Sequence, residues 1–181
     1  DAKYLCDKGI APIENISIIP GTGLNTSELD FNFRKYKREP IFIDFIGRIL
    51  PDKGINTFIF TKIYMNLIYG NLSKNYPFRI ISPESDIKKF DKNKIKFLKE
   101  SGIICKVYKS NPSYYYSKTK ILFYPSDYGE GLSRVILESS YLGIPVLVNK
   151  IRGIEEILPL DYKYYIKSKN PSSILKQLLD L

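Results

Sequence analysis

The 181-residue sequence has no histidine and no tryptophan, two cysteines and one methionine. Without imidazole there is no Ser/His/Asp triad, no Cys/His dyad and no histidine general base. Acid–base chemistry must therefore come from Asp, Glu, Lys or Tyr, or from groups on another domain. The two cysteines, Cys6 and Cys105, cannot form a disulfide framework or supply a zinc site by themselves. With no signal-like N-terminus, they fit a reducing cytoplasm. No apolar run approaches the ~20 residues of a membrane-spanning helix; the stretch from Ile41 to Leu50 is broken by Asp44 and Arg48. Residue 1 is Asp and the single methionine is Met65, so the sequence is expected to be a piece of a longer one.

Apolar residues make up 44% of the chain and charged residues 26%, an ordinary globular composition that fits a single domain over residues 1–181. The net charge is +9, carried by 22 lysines and 6 arginines. The lysines are scattered, densest at 88–99 and 106–120, and accompany abundant Ile, Tyr and Asn, a pattern that AT-rich coding produces without selection for a ligand. An anionic membrane surface is the alternative partner for this charge. No nucleic-acid partner is expected, because the Tyr114–Tyr116 run beside lysine reads as a half-buried helix rather than a base-stacking platform.

Strand-like runs fall at Ile16–Ile19, Ile41–Ile46, Phe78–Ile81, Ile103–Val107, Lys120–Tyr124 and Pro145–Val148, with a weaker one at Tyr162–Ile166. Several are continuously apolar, as strands covered on both faces are. Helical patterns lie between them at Ile55–Tyr69, Ile87–Glu100, Pro112–Lys118, Leu132–Leu142, Ile154–Leu158 and Pro171–Leu179. The lysine-rich Ile87–Glu100 segment is read as a core-packed amphipathic helix, with a membrane-surface helix as its rival. This alternation predicts an α/β fold, a Rossmann-like doubly wound parallel sheet with helices on both faces. Ligands on such sheets bind beyond the strand carboxyl ends at the switch in strand order.

Two loops carry candidate chemistry. Gly47-Arg48-Ile49-Leu50-Pro51-Asp52-Lys53-Gly54 follows a strand and opens a helix, placing two cations beside a helix N-terminus, where a diphosphate is favoured; the plain alternative is a solvated loop. It lacks the P-loop pattern. Pro125–Glu138 also joins a strand to a helix. Gly129 and Gly131 flank Glu130 and let a ligand approach the backbone closely. Glu138 lies about two turns further on, roughly 12 Å if the residues between are helical. That exceeds the ~5–9.5 Å of a glycosidase carboxylate pair and suits two acceptors for different hydroxyls of one long ligand. Each carboxylate also has a plain structural reading, Glu130 as a helix-start acid and Glu138 as a buried or paired one.

Phe45–Gly54 (FIGRILPDKG), Tyr124–Glu138 (YPSDYGEGLSRVILE) and Gly143–Ile157 (GIPVLVNKIRGIEEI) together resemble the retaining glycosyltransferases of family 4, the glycosyl transferases group 1. The resemblance spans about Ile18 to Ile166. It implies the C-terminal, nucleotide-sugar-binding half of a GT-B fold, two Rossmann-like domains with the active site in the cleft between them. Ile19-Pro20-Gly21-Thr22-Gly23-Leu24-Asn25 looks like the entry into that half and favours bacterial envelope-polysaccharide members, of lipopolysaccharide or capsule synthesis. By this resemblance, Arg48 and Lys53 hold the donor diphosphate. Glu130 is the catalytic carboxylate and contacts the donor sugar, together with backbone groups of Gly131 and Leu132. Glu138 binds the nucleotide ribose. No cofactor or metal is expected.

The implied function is hexosyl or N-acetylhexosaminyl transfer from a nucleoside-diphosphate sugar, UDP-sugar by default, to a glycan or lipid-linked acceptor. The implied location is the cytoplasm, at the inner face of the membrane as a peripheral protein. The implied partner is an N-terminal acceptor-binding domain of the same protein, which is missing from this sequence, so the fragment alone is expected to be inactive. The sequence departs from the family pattern at Ser139-Ser140-Tyr141, where small residues are usual, and at Lys150, where an acid is. The rival reading is a non-catalytic nucleotide-binding Rossmann-like module. Against a dinucleotide site, Gly21-Thr22-Gly23 lacks the third glycine of the fingerprint.

Overall fold

The strands β1 (Phe42–Ile46), β2 (Phe78–Ser82), β3 (Ile103–Val107), β4 (Thr119–Tyr124) and β5 (Val146–Val148) form one parallel sheet in the order β3-β2-β1-β4-β5. This is a computed structural model that describes residues 2–17, 21, 23–108, 113–129 and 131–181, and not the side chains of residues 31 and 32. The helices are α1 (Ala2–Asp7), α2 (Thr26–Arg34), α3 (Ile55–Tyr69), α4 (Glu84–Ile87), α5 (Lys92–Glu100), α6 (Ser113–Tyr116), α7 (Arg134–Tyr141) and α8 (Pro171–Leu179). The expected doubly wound α/β sheet is therefore present.

Both faces of the central strands are covered, which explains their continuous apolar runs. On one face Phe58 of α3 packs against Phe45, Phe78 and Phe123, with ring centroids 5.7, 4.9 and 5.6 Å away. On the other face the sheet carries a buried ion pair. Asp44 and Arg79 stand opposite each other in the β1–β2 register. Arg79 Nε and Nη2 donate to the two Asp44 oxygens at 2.8 and 2.6 Å. Burial pushes the Asp44 carboxyl up, opposed by the Arg79 fork and the Thr119 hydroxyl. Strand β3 lies at the sheet edge, and Ile104 and Val107 are partly exposed there.

Several expectations are corrected by local chemistry. The single helix over Ile87–Glu100 is broken, because the Asp91 side chain accepts from Lys94 N at 2.7 Å and caps a new helix, α5. Ile154–Leu158 forms successive turns rather than a helix: Gly153 enters it at φ +86°, and Pro159 disfavours helical backbone at Leu158. Tyr162–Ile166 is no strand but a single bridge, Val148 to Tyr165. There the Tyr162 hydroxyl donates to Val146 O at 2.9 Å and accepts from Val146 N at 3.2 Å, substituting for a strand neighbour. Ile18 and Ile19 of the first strand-like run, and Pro112 of the short helix, lie outside the described residues.

Candidate functional site at the sheet switch point

The sheet grows from β1 towards β2 and β3 on one side, and through β4 and β5 on the other. Right-handed crossovers then leave on opposite faces at the β1/β4 boundary, opening a crevice at the carboxyl ends. The loops after β1 and β4, the two singled out by sequence, lie on either side of it.

They are stitched together by backbone. Asp52 O accepts from Asp127 N at 2.9 Å, from Tyr128 N at 3.2 Å and from Ser126 Oγ at 3.3 Å. Gly54 caps α3 with φ +80°, and a Cβ there would fall 2.0 Å from Pro125 O. Only glycine meets both demands. Lys53 Nζ stands 4.5 Å from the centre of the half-exposed Tyr128 ring, joining the loops again. On the far side, Asn149 Nδ2 donates to Ser126 O and Asp127 Oδ1 at 3.0 and 2.9 Å, and Lys169 pairs with Asp127 at 2.8 Å.

Arg48 projects from this frame with its side chain 64% exposed. Its Nε lies 3.7 Å from Asp86 Oδ2, which also accepts from Ile49 N at 3.1 Å. Lys89 donates to the other Asp86 oxygen at 2.6 Å. That Lys89 bond, with the Ile49 N–H and the charges of Lys89 and Arg48, holds the Asp86 carboxyl below its usual value despite burial. Asp86, at the carboxyl end of β2, thus fixes the backbone that presents Arg48.

Glu138 faces inward from α7 and is almost wholly buried. The Tyr116 hydroxyl donates to Oε2 at 2.7 Å, and Arg134 Nη2 donates to Oε1 at 3.1 Å. Burial and the adjoining Glu138 charge push the Tyr116 phenol well above its ordinary value, so it stays a donor. Leu132 is half-buried against Gly21, where a Cβ would fall 2.6 Å from Leu132 Cβ. Gly131 is exposed, with open space where its Cβ would stand. Ser133 caps α7 without a side-chain bond, so the helix begins at Arg134. The uniform helical rise expected between residues 130 and 138 therefore does not apply. Glu130 itself lies outside the described residues.

The two departures noted in the sequence have different surroundings. Lys150 pairs with Glu155 at 3.8 Å, and the Ser139 and Ser140 hydroxyls are buried with no hydrogen-bond partner among the described residues. Among those residues no group of three His, Cys, Asp or Glu side chains could hold a metal ion. No described helix is long and apolar enough to cross a membrane.

Paired loops bearing cations at the switch point stand where Rossmann-like sheets take their ligands. Residues 25–181 match the family model of glycosyl transferases group 1, and the chain belongs to that family. CapM, a capsular polysaccharide biosynthesis glycosyltransferase of Staphylococcus aureus, is 24% identical over 132 residues, which are 72% of this chain and 33% of CapM. The chain thus spans about a third of that relative's length. Among solved structures, HepE of Anabaena in complex with UDP-glucose superposes with TM-score 0.69 at 14% identity, over 99% of this chain and 50% of HepE. TarM of S. aureus, in a complex that includes UDP, gives 0.63 at 16% identity, over 100% of this chain and 35% of TarM. At these identities the structures establish the fold, the Rossmann-like sheet of GT-B glycosyltransferases.

Proposed function

We propose that this chain is the donor-binding half of a retaining glycosyltransferase that takes a sugar from a nucleoside-diphosphate sugar, UDP-sugar first among them. The acceptor is a glycan or lipid-linked glycan of cell-surface polysaccharide, presented by an N-terminal domain at the inner face of the membrane. The observation that carries this reading is the pair of loops locked together at the β1/β4 switch point, one bearing Arg48 and Lys53 and the other Gly131 and Leu132. Family membership, the CapM match and the UDP-bound structural neighbours support it.

In this reading the bond between the anomeric carbon and the β-phosphate oxygen breaks, and its electron pair leaves with the diphosphate. The Arg48 fork and the Lys53 charge stabilise that leaving group, as do the N–H groups at the start of α7. The acceptor hydroxyl forms the new bond, and its proton neutralises the departing phosphate oxygen. Glu138 accepts from ribose hydroxyls, Glu130 from the donor sugar, and no metal is invoked. Hexosyl or N-acetylhexosaminyl transfer then requires the acceptor domain, so this half binds donor and transfers little.

Calorimetric titration with UDP, GDP, ADP and NAD tests the reading. One nucleoside diphosphate should bind selectively, and Arg48→Ala and Lys53→Ala should each weaken it by about 1–3 kcal/mol, as for other charge-assisted bonds. Preference for NAD, or unchanged affinity in both variants, would overturn it.

A further inference from the structure

We infer that Tyr116 is a positioning residue for the nucleotide site: its buried hydroxyl holds Glu138 by Oε2 so that Oε1 is offered to the ribose. The inference rests on the donor-site reading above and goes beyond it to the side chain that makes the acceptor usable. The two partners of Glu138 differ in kind. Tyr116 is fully buried, contributed by a different element, and bonded at 2.7 Å. Arg134 is one helical turn away on α7 itself, with its side chain 71% exposed, and bonds at the longer 3.1 Å.

A short bond inside the core fixes geometry, because a rigid ring held by packing has few alternatives. The arginine side chain is 71% exposed and can swing into water, so a ligand hydroxyl can take over its hydrogen bond to the buried carboxylate. A carboxylate oxygen bonded once retains a second lone pair. A ribose hydroxyl thus finds an oriented acceptor whose other end is already satisfied. A tyrosine hydroxyl suits this task because it donates without bringing charge, leaving the carboxylate's negative charge available to the ligand.

The test compares the whole chain's affinity for UDP with that for 2′-deoxy-UDP and 3′-deoxy-UDP. Wild type should prefer UDP over at least one analogue by ~10-fold or more, the range of a hydrogen bond to a charged group. Tyr116→Phe should cut that preference to within ~3-fold while leaving affinity for the deoxy analogue within ~2-fold of wild type. The ratio of the two affinities does not depend on the fraction of chain folded, so lost stability cannot imitate this result. Arg134→Ala should keep the preference, and this surface variant remains measurable should Tyr116→Phe fail to fold.

Equal weakening of UDP and analogue in Tyr116→Phe, or an undiminished preference, would overturn the inference. So would loss of preference in Arg134→Ala, which would give the role to Arg134. The wild-type data separate the two levels. Binding of UDP without discrimination removes the ribose role of Glu138 and the inference with it, whereas no binding of any of UDP, GDP and ADP overturns the donor-site reading itself; should GDP or ADP be the one bound, its deoxy analogues take the place of those of UDP.

Discussion

Replacing Gly54 by alanine probes the joint between the two site loops. Two costs add. The backbone at φ +80° lies in the left-handed region, where a side chain costs about 1–2 kcal/mol. The new Cβ would also stand 2.0 Å from Pro125 O and 2.5 Å from the Pro125 carbonyl carbon, and that backbone cannot swing aside as a side chain could. Forced shifts of this sort cost about 1–3 kcal/mol. The expected loss is about 2–5 kcal/mol, against the 5–15 kcal/mol total of an ordinary domain. Urea unfolding of the whole chain measures it. Gly143→Ala is the control, because Gly143 has φ +67° but nothing within 4 Å of its Cβ position, so only the backbone strain applies. Should Gly54→Ala prove no costlier than Gly143→Ala, the close approach of the β1 and β4 loops would be refuted, and with it the geometry proposed for the diphosphate.

Asp44→Ala strips one partner from the buried pair and leaves Arg79 charged inside the sheet face, so unfolding free energy should fall by about 3–5 kcal/mol in the same assay; a loss under about 1 kcal/mol would contradict the pair's burial. Lys62 is buried and donates to Ser73 O and Tyr76 O at 2.7 and 3.0 Å, and burial lowers its pKa to about 8 from 10.5. Between those values the unfolded chain binds more protons than the folded one, so this contribution to stability is present above pH 10.5 and is lost as pH falls to 8. Wild type should therefore gain up to about 3 kcal/mol relative to Lys62→Met between pH 7.5 and 10.5, and a flat difference would show that Lys62 is not desolvated.

Period and run length in the sequence made the sheet legible. Ile55–Tyr69 and Pro171–Leu179 are helices over the bounds that the pattern predicts, and the five strands fall within a residue of theirs. The misses share a cause. Asp91 and Pro159 act through local side-chain or ring chemistry that a hydropathy pattern does not register, and Tyr162 replaces a strand partner by a hydroxyl. In the candidate site, Arg48 and Lys53 stand out in the sequence through the family resemblance, since two cations at a βα turn alone also fit a solvated loop. Asp86 and Tyr116 were not, because their roles depend on partners 37 and 22 residues away. Tyr116 sat unmarked in a tyrosine run whose side chains go to different places: Tyr114 to the surface, Tyr115 to Val107 O, Tyr116 to Glu138.

That run also explains why the sheet contains an ion pair at all. A four-residue helix such as α6 cannot hold itself, since nucleation costs more than one turn returns. Its carbonyls are held from outside instead. Arg79 Nη2 donates to Tyr115 O at 3.1 Å, and the Thr119 hydroxyl lies 2.9 Å from the same oxygen and 2.6 Å from Asp44 Oδ2. Arg38 donates to Tyr116 O at 2.6 Å. A buried ion pair returns little net stability compared with apolar packing of the same volume. What Asp44 and Arg79 contribute is direction: the guanidinium that pairs with Asp44 has a donor left over, and that donor anchors α6. Since α6 carries Tyr116, and Tyr116 holds Glu138, the polar core beneath β1 and β2 is continuous with the buried face of α7. The inside of the sheet and the proposed nucleotide site are thus set by one chain of hydrogen bonds, from Asp44 through Arg79 and α6 to Glu138.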